Sequence, residues 1–75
     1  MNINQIPENY YTLYKIEFGD TWTNISYRTY GTIKPWWIIC KFNNIKNPFS
    51  DLTVGKTIKL PTLALLQQIN NILNQ

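Results

Sequence analysis

The chain begins with a mostly polar stretch and then changes to large side chains that alternate loosely with polar ones. Residues 1–9 are mostly polar, with Pro7 near their end, and we expect them to form an extended arm. Residues 10–16 are rich in aromatic and β-branched side chains, which is typical of a β-strand. On that strand Tyr14 and Ile16 share one face, because successive side chains point to opposite faces.

A helical pattern replaces the alternation after the turn at Gly19. Residues 21–30 place their larger side chains three and four positions apart, which predicts a helix with one packed face. Asp20 or Thr21 is able to cap the first turn, and Gly31 suits the end of the helix. The packed face consists of Trp22, Ile25, Ser26, Thr29 and Tyr30.

A second helix is predicted at about residues 35–43, where a short apolar run follows a proline. Pro35 suits the first turn because no N–H is needed there, and Asn43 marks the end. Trp36 and Trp37 point about 100° apart on a helix, so we expect Trp36 in the core and Trp37 at its edge or outside it. The core side of this helix carries Trp36, Ile39 and Phe42, with Cys40 beside them.

The remaining pattern predicts a second strand and a third helix. Residues 56–60 alternate, which is typical of a strand, and Pro61 closes it. The order strand, helix, helix, strand predicts an α+β fold, in which the two strands pair antiparallel and both helices cover one face. Thr62 then caps a helix at about residues 63–74. The chain thus divides into an N-terminal arm (1–9), a domain (10–61) and a C-terminal amphipathic helix (62–75).

The C-terminal helix carries an apolar stripe and no charged residue. A helix of about twelve residues is marginal alone, so this one must pack on something. Two arrangements remain open: the stripe folds back on its own domain, or it docks in a groove of a neighbouring subunit. We favour the neighbouring subunit. The stripe consists of Leu65, Leu66, Ile69, Ile72 and Leu73.

Composition and charge narrow the classes of partner. Seventy-five residues make one small domain with a thin core. The net charge is +3, and the seven basic residues are scattered rather than clustered, which argues against nucleic-acid binding. No apolar stretch approaches the roughly 20 residues of a membrane-spanning helix, and the N-terminus lacks the pattern of a signal peptide. We therefore expect no membrane partner and a chain that is made in a cytoplasm.

The side chains needed for most catalytic and metal sites are missing from the sequence. The chain has no histidine, one cysteine and four carboxylates, which excludes Ser-His and Cys-His pairs and histidine-based metal sites. Asp20 is explained as a helix cap and Asp51 as a turn former, and Cys40 is expected to be a buried apolar residue. The three glycines match no phosphate-binding loop. We expect no catalytic residue, no cofactor and no metal.

Several short motifs follow one another in a set order along residues 11–61. In this order and at this spacing they resemble the LysM domain family, whose β-α-α-β fold agrees with the order of elements predicted above. The motifs are residues 13–26 with Gly19-Asp20-Thr21, Tyr30-Gly31, Trp36, Ile39, Asn43, Asn47-Pro48, Leu52, Val54-Gly55-Lys56 and Ile58-Lys59-Leu60-Pro61.

One variant of the family is particularly similar. Tyr30-Gly31, residues 35–39 and residues 43–49 resemble the LysM-like segments of phage tail and baseplate proteins, above all the baseplate wedge subunit of contractile-tailed phages. The resemblance implies a non-catalytic protein interaction module that serves virion assembly. Its partners would be other tail or baseplate proteins, and its location the virion after assembly in the host cytoplasm. The alternative is a LysM module that binds N-acetylglucosamine chains of peptidoglycan.

Each hypothesis selects its own site residues. For protein docking, we expect the interface to include Trp37, Lys41, Tyr10, Tyr11 and the stripe Leu65, Leu66, Ile69, Ile72 and Leu73. For glycan binding, the resemblance implies a groove between two turns. Trp22 stands where the family usually has leucine, and a ring of that size is able to fill the groove. The implied groove residues are Gly19, Asp20, Thr21, Trp22, Asn44, Ile45 and Asn47.

Overall fold

A short 3₁₀ turn and five regular elements make up the part of the chain that the structure describes. The structure, a computed structural model, describes residues 6–73, with side chains through residue 71. Residues 1–5 of the expected arm lie outside this range, and residues 8–10 form the 3₁₀ turn rather than an extended segment. The elements are the turn Glu8–Tyr10, β1 (Tyr11–Lys15), α1 (Trp22–Tyr30), α2 (Trp36–Phe42), β2 (Thr57–Pro61) and α3 (Leu63–Leu73).

The two strands form a two-stranded antiparallel sheet, so the expected α+β fold is confirmed. Tyr11 lies opposite Pro61 at one end, and Lys15 lies opposite Thr57 at the other. Along β1 the inner side chains become more buried towards Ile16, which is 2% exposed. The predicted shared face of Tyr14 and Ile16 is the face that packs against the helices.

Local capping determines both ends of α1. The Thr21 hydroxyl accepts the Asn24 N–H at 3.1 Å, so Thr21 and not Asp20 is the cap. At the other end Gly31 has a φ of +76° and donates its N–H to the Tyr27 carbonyl at 2.8 Å. A left-handed residue of this kind satisfies the last carbonyls of a helix, and glycine adopts it without strain. Gly31 is therefore the predicted stop.

The first core cluster lies between the sheet and the helices α1 and α2. Ser26, on the same face of α1, is fully buried, and its hydroxyl donates to the Thr32 carbonyl at 2.7 Å. Thr29 was expected on this face but is exposed, with its hydroxyl bonded to the Ile25 carbonyl. The cluster consists of Ile16, Trp22, Ile25, Ile39, Cys40, Ile58 and Leu60.

Asn43 joins the end of α2 to the outer edge of β2. Its side-chain amide donates to the carbonyls of Ile39 (2.8 Å) and Lys59 (2.7 Å). Its side-chain carbonyl accepts the Lys59 N–H at 2.7 Å. The amide group thus pairs with Lys59 in both directions, as the backbone of a neighbouring strand would. This pairing holds α2 against the sheet.

The third helix packs on its own domain, which corrects the expectation that it docks on a neighbouring subunit. Leu66 and Ile69 are each 6% exposed, and they meet Ile38 and Phe42 of α2. Phe42 was expected on the same side of α2 as Trp36 and Ile39, and this too is wrong. Because α2 is apolar on both sides, it is buried between two clusters. Ile38, Phe42, Leu66 and Ile69 form the second core cluster.

Candidate functional site

A groove of about 320 Å³ opens between the β1–α1 turn (residues 16–21) and the α2–β2 loop (residues 43–56). The start of α1 supplies one wall, and Trp36 at the start of α2 supplies part of the base. The far wall comes from the segment that follows Asn47. Apolar side chains dominate the groove, which is lined by Thr21, Trp22, Thr23, Trp36, Pro48, Phe49 and Leu52.

Trp22 builds the groove instead of filling it. The side chain is only 6% exposed, because most of the ring belongs to the first core cluster. Its indole Nε1 donates to the Pro48 carbonyl at 2.7 Å. This hydrogen bond joins the two chain segments that form the walls, 26 residues apart in sequence. The groove therefore stays open beside a tryptophan where the sequence alone suggested a blocked one.

Phe49 is held at the rim of the groove by a tight turn. The Asn47 side chain accepts the Phe49 N–H at 3.1 Å, and the Asp51 carboxylate accepts the Asn47 N–H at 3.3 Å. The Asn47 carbonyl accepts the Asp51 N–H at 3.0 Å, which closes the turn. Phe49 is 95% exposed, although the turn that carries it is well bonded. An apolar ring in this position is available to a binding partner.

The Asp20 carboxylate belongs to a hydrogen-bond network beside the groove. It accepts the Tyr14 hydroxyl at 2.6 Å, the Glu17 N–H at 2.8 Å and the Arg28 guanidinium at 2.5 Å. The Asp20 side chain is 7% exposed. Burial raises the pKa of this carboxyl, but the hydrogen bonds from Tyr14, Glu17 and Arg28 outweigh it and hold the pKa below its ordinary value. The network fixes the β1–α1 turn against α1 and leaves Asp20 no free oxygen for a ligand.

The lowered pKa of Asp20 predicts a pH dependence of stability. Because the folded-state pKa lies below the unfolded value of about 3.9, the ionised carboxylate stabilises the fold fully above that value. This contribution is lost as the pH falls from about 4 through the folded-state pKa. We expect Asp20→Asn to flatten the acid decline in the free energy of unfolding, measured by urea titrations across the acid range. A curve for Asp20→Asn that runs parallel to the native one contradicts this.

Of the glycan-site residues implied by the resemblance, only Thr21 and Trp22 line the groove. Gly19 and Asp20 belong to a separate shallow pocket with Phe18 and Arg28. Asn44 follows the end of α2 in a left-handed conformation with a φ of +56°, which a short polar side chain tolerates. Ile45 packs on the first core cluster, and Asn47 builds the turn that presents Phe49. Sequence reasoning did not identify five other groove residues: Thr23, Trp36, Pro48, Phe49 and Leu52. Phe49 could have been identified, because an apolar residue directly after an Asn-Pro turn is expected to be exposed and able to contact a partner.

The residues expected to contact other proteins fall into different environments. Trp37 is 37% exposed and lines a cleft of about 300 Å³ between α2 and α3. Lys41 is exposed, and Tyr10 is 42% exposed. Tyr11 is half-buried, with its ring 6.4 Å from that of Phe42. Leu65 is half-buried, Leu66 and Ile69 belong to the second core cluster, and the side chains of Ile72 and Leu73 lie outside the described residues.

Cys40 is the chain's single thiol, and its surroundings oppose nucleophilic chemistry. It is 4% exposed in the first core cluster, and burial raises its pKa to about 11. A thiol with such a pKa stays protonated at neutral pH and is a poor nucleophile. Within residues 6–71, no three carboxylates or cysteines lie close enough together to hold a metal ion. Among the helices that the structure describes, none is both long and apolar enough to cross a membrane.

Comparison with known proteins gives one positive result. The family model for the LysM domain matches residues 14–61, nearly two thirds of the chain. This range begins within β1 and ends at the last residue of β2, so it includes both walls of the groove and excludes α3. No curated protein sequence matches the chain significantly.

Proposed function

This chain belongs to the LysM domain family, a family of binding modules that are generally non-catalytic, and from that premise we propose that it docks on other proteins of a phage tail or baseplate. The groove between the β1–α1 turn and the α2–β2 loop would receive an apolar side chain of the partner. The module's contribution would be binding and positioning during virion assembly. Its expected location is the virion, with no nucleic-acid or membrane partner.

The observation that carries this proposal is that the polar side chains of Thr21, Trp22 and Asp20 at the groove are already bonded within the domain. The Thr21 hydroxyl caps α1 and lies 3.2 Å from the Thr23 hydroxyl. The Trp22 N–H is bonded to Pro48, and Asp20 to its own network. A sugar chain needs convergent donors and acceptors, because its own polar groups lose water on binding. An apolar side chain needs none, and its burial is worth about 1.5–3 kcal/mol.

The phage setting rests on the resemblance of particular segments, and those segments contribute to the groove. Residues 35–39 supply Trp36, and residues 43–49 supply Pro48 and Phe49. Three of the five apolar residues that line the groove therefore come from the segments that resemble tail and baseplate proteins. This coincidence supports a protein partner from such an assembly.

Peptidoglycan binding is the second candidate function. It is favoured by the position of the groove, which lies at the turn where the family resemblance implies a glycan site. Trp36 and the exposed ring of Phe49 are also able to stack on the apolar faces of sugar rings. Under this hypothesis an N-acetylglucosamine chain would lie along the groove.

Two phenylalanines allow a matched test of the groove. Phe49 and Phe18 are 95% and 94% exposed, but only Phe49 lines the groove. Neither Phe49→Ser nor Phe18→Ser should change the fold, because neither ring is packed. We expect the native chain and Phe18→Ser to be incorporated into purified tailed particles of the phage that encodes it. Phe49→Ser should be incorporated at least about 10-fold less. Loss of the apolar contact should weaken binding by about 1.4 kcal/mol or more, and about 1.4 kcal/mol is a factor of ten in affinity. Quantitative mass spectrometry of the particles gives the measurement.

The outcomes separate the two functions. Absence of the native chain from the particles, or equal incorporation of both variants, overturns docking through the groove. In a parallel sedimentation assay with insoluble peptidoglycan, we expect no specific retention of the native chain. Saturable retention that Phe49→Ser abolishes and Phe18→Ser keeps would establish the glycan function instead.

A further inference from the structure

The sheet has two outer edges, one on β1 and one on β2, and hydrogen bonding shows which backbone groups face each of them. Opposite residues in an antiparallel pair either exchange both backbone hydrogen bonds or exchange neither. Lys59 bonds outwards with both its N–H and its C=O, to the side chain of Asn43, so it exchanges none with Leu13 opposite. The N–H and C=O groups of Leu13 therefore point away from β2. The same holds two residues along in each direction, at Tyr11 and Lys15.

The outer edge of β2 is largely closed by the domain itself. Asn43 occupies both backbone groups of Lys59. Pro61 has no N–H, and its carbonyl accepts the Tyr30 hydroxyl at 2.6 Å. Only Thr57, at the beginning of the strand, keeps outward groups without such a partner among the described residues. A further strand has little to bond with on this side of the sheet.

The outer edge of β1 is open. The Tyr11 N–H donates to the Glu8 carbonyl in the 3₁₀ turn. In the part of the chain that the structure describes, no protein group bonds to the Tyr11 carbonyl or to the outward groups of Leu13 and Lys15. The Leu13 side chain is 67% exposed in the middle of this strand. An unpaired edge with a central apolar residue is a template for another strand.

We propose that β1 pairs antiparallel with β1 of a second copy of this chain, about a two-fold axis at Leu13. The order in the resulting four-stranded sheet would be β2, β1, the partner's β1 and the partner's β2. Leu13 would lie opposite the partner's Leu13, and Lys15 opposite the partner's Tyr11. This surface is separate from the groove, and its occupancy does not depend on what the groove binds.

The occupied Tyr11 N–H helps to select this register. Leu13 exchanges both bonds with the partner's Leu13, and the Lys15 N–H donates to the partner's Tyr11 carbonyl. Repeated by symmetry, these contacts use every open group of the edge except the Lys15 carbonyl, which remains in water. The Lys15 carbonyl would require the partner's Tyr11 N–H, which Glu8 already holds. A register that sets Leu13 opposite the partner's Tyr11 leaves more of the edge unbonded, because that Tyr11 N–H is occupied. A register that sets Leu13 opposite the partner's Lys15 makes equally many bonds, but it no longer places the two Leu13 side chains opposite each other.

Side chains and charge agree with the same register. The two Leu13 side chains become cross-strand neighbours, which is a favourable apolar pair. Lys15 faces an aromatic ring, whereas a register centred on Lys15 would bring two ammonium groups together. Each copy carries a net charge of +3, so the copies repel each other at low salt. The paired edge is also short, so we expect the dimer to be weak. Because salt screens the repulsion between the two copies, the dimer should become stronger as the ionic strength rises.

The test uses the full chain at concentrations from about 10 µM to about 1 mM, a range suited to a weak dimer. We expect sedimentation equilibrium to show a monomer–dimer equilibrium whose Kd falls several-fold as salt is raised. The hydrogen exchange of the Leu13 and Lys15 amides should slow with concentration. The Thr12 and Tyr14 amides, which face β2, should exchange at a rate independent of concentration.

A proline substitution removes one of the pairing groups without touching the β1–β2 ladder. Proline is tolerated on an edge strand where its N–H would face solvent, so Leu13→Pro should keep the fold and lose the dimer. Leu13→Val keeps the N–H and an apolar side chain, and it should keep the dimer.

A native chain that stays monomeric at high salt overturns the proposal. So does a Leu13→Pro variant that dimerises like the native chain, or concentration-dependent protection at other amides only. If Leu13→Pro fails to fold, amide exchange of the native chain decides the question.

Discussion

Replacing Trp22 with alanine is expected to lower the free energy of unfolding by about 3–5 kcal/mol. The ring is 6% exposed in the first core cluster, and its removal leaves a cavity that the sheet and two helices cannot close. The same change removes the hydrogen bond between the indole and the Pro48 carbonyl, which joins the two walls of the groove. For a chain of this length the whole free energy of unfolding is roughly 4–11 kcal/mol. Trp22→Ala should therefore lose a large part of the stability of the domain, and its urea midpoint should fall clearly below that of the native chain.

Two further variants separate packing from hydrogen bonding at this position. Trp22→Phe keeps most of the apolar contact but leaves the Pro48 carbonyl without its donor, so we expect a loss of about 1–3 kcal/mol. Trp37→Ala removes a tryptophan that is 37% exposed, and we expect a loss of less than about 1.5 kcal/mol. Urea unfolding followed by far-ultraviolet circular dichroism gives all three values. Similar losses for Trp22→Ala and Trp37→Ala would show that the core is not centred on Trp22.

The parts of the fold that depend on local chemistry can be read from the sequence. The boundaries of α1 follow from the hydroxyl of Thr21 and the left-handed conformation of Gly31, which act within one helical turn. The strands follow from alternation and from Pro61. Helix α3 starts where expected, because the Thr62 hydroxyl accepts the Leu65 N–H at 3.3 Å. Each of these signals involves residues that are close in the chain.

The faces of α2 could not be assigned in the same way. Its sequence is apolar on both sides, so periodicity does not show which side meets the sheet. The structure divides the helix between two clusters, with Ile39 and Cys40 in the first and Ile38 and Phe42 in the second. Trp36 is half-buried as a result, packed on the first core cluster while it also lines the groove.

The candidate site depended most on contacts between distant residues. The bond from Trp22 to Pro48 and the network of Asp20 with Tyr14 and Arg28 join different segments of the chain. Without these contacts, Trp22 suggests a blocked groove and Asp20 suggests a helix cap or a ligand. With these contacts known, the groove is open and apolar, and Asp20 stabilises the β1–α1 turn. A sequence pattern carries residue types and spacing, but it does not show which polar groups are already satisfied.

Exchanging Leu66 and Ile69, which are buried on α3, for serine should abolish the cooperative unfolding of the whole domain. Leu66→Ser combined with Ile69→Ser removes half of the second core cluster and exposes the Ile38 and Phe42 side chains, which are 2% and 5% exposed in the native protein. Each large-to-small change at a buried leucine or isoleucine removes about 2–5 kcal/mol. Two such changes approach the entire stability of a 75-residue domain, roughly 4–11 kcal/mol.

The matched control for this pair uses two exposed residues of the same helix. Gln67→Ser and Gln68→Ser change two exposed residues, so we expect a combined loss of about 1 kcal/mol or less and an intact unfolding transition. Thermal unfolding followed by circular dichroism and calorimetry compares the two double variants. A sharp transition retained by Leu66→Ser with Ile69→Ser would mean that the body formed by residues 10–61 folds without α3. The apolar stripe would then be free to dock on another subunit. Loss of the transition makes α3 part of the folding unit, because α2 has too little polar surface to be left uncovered.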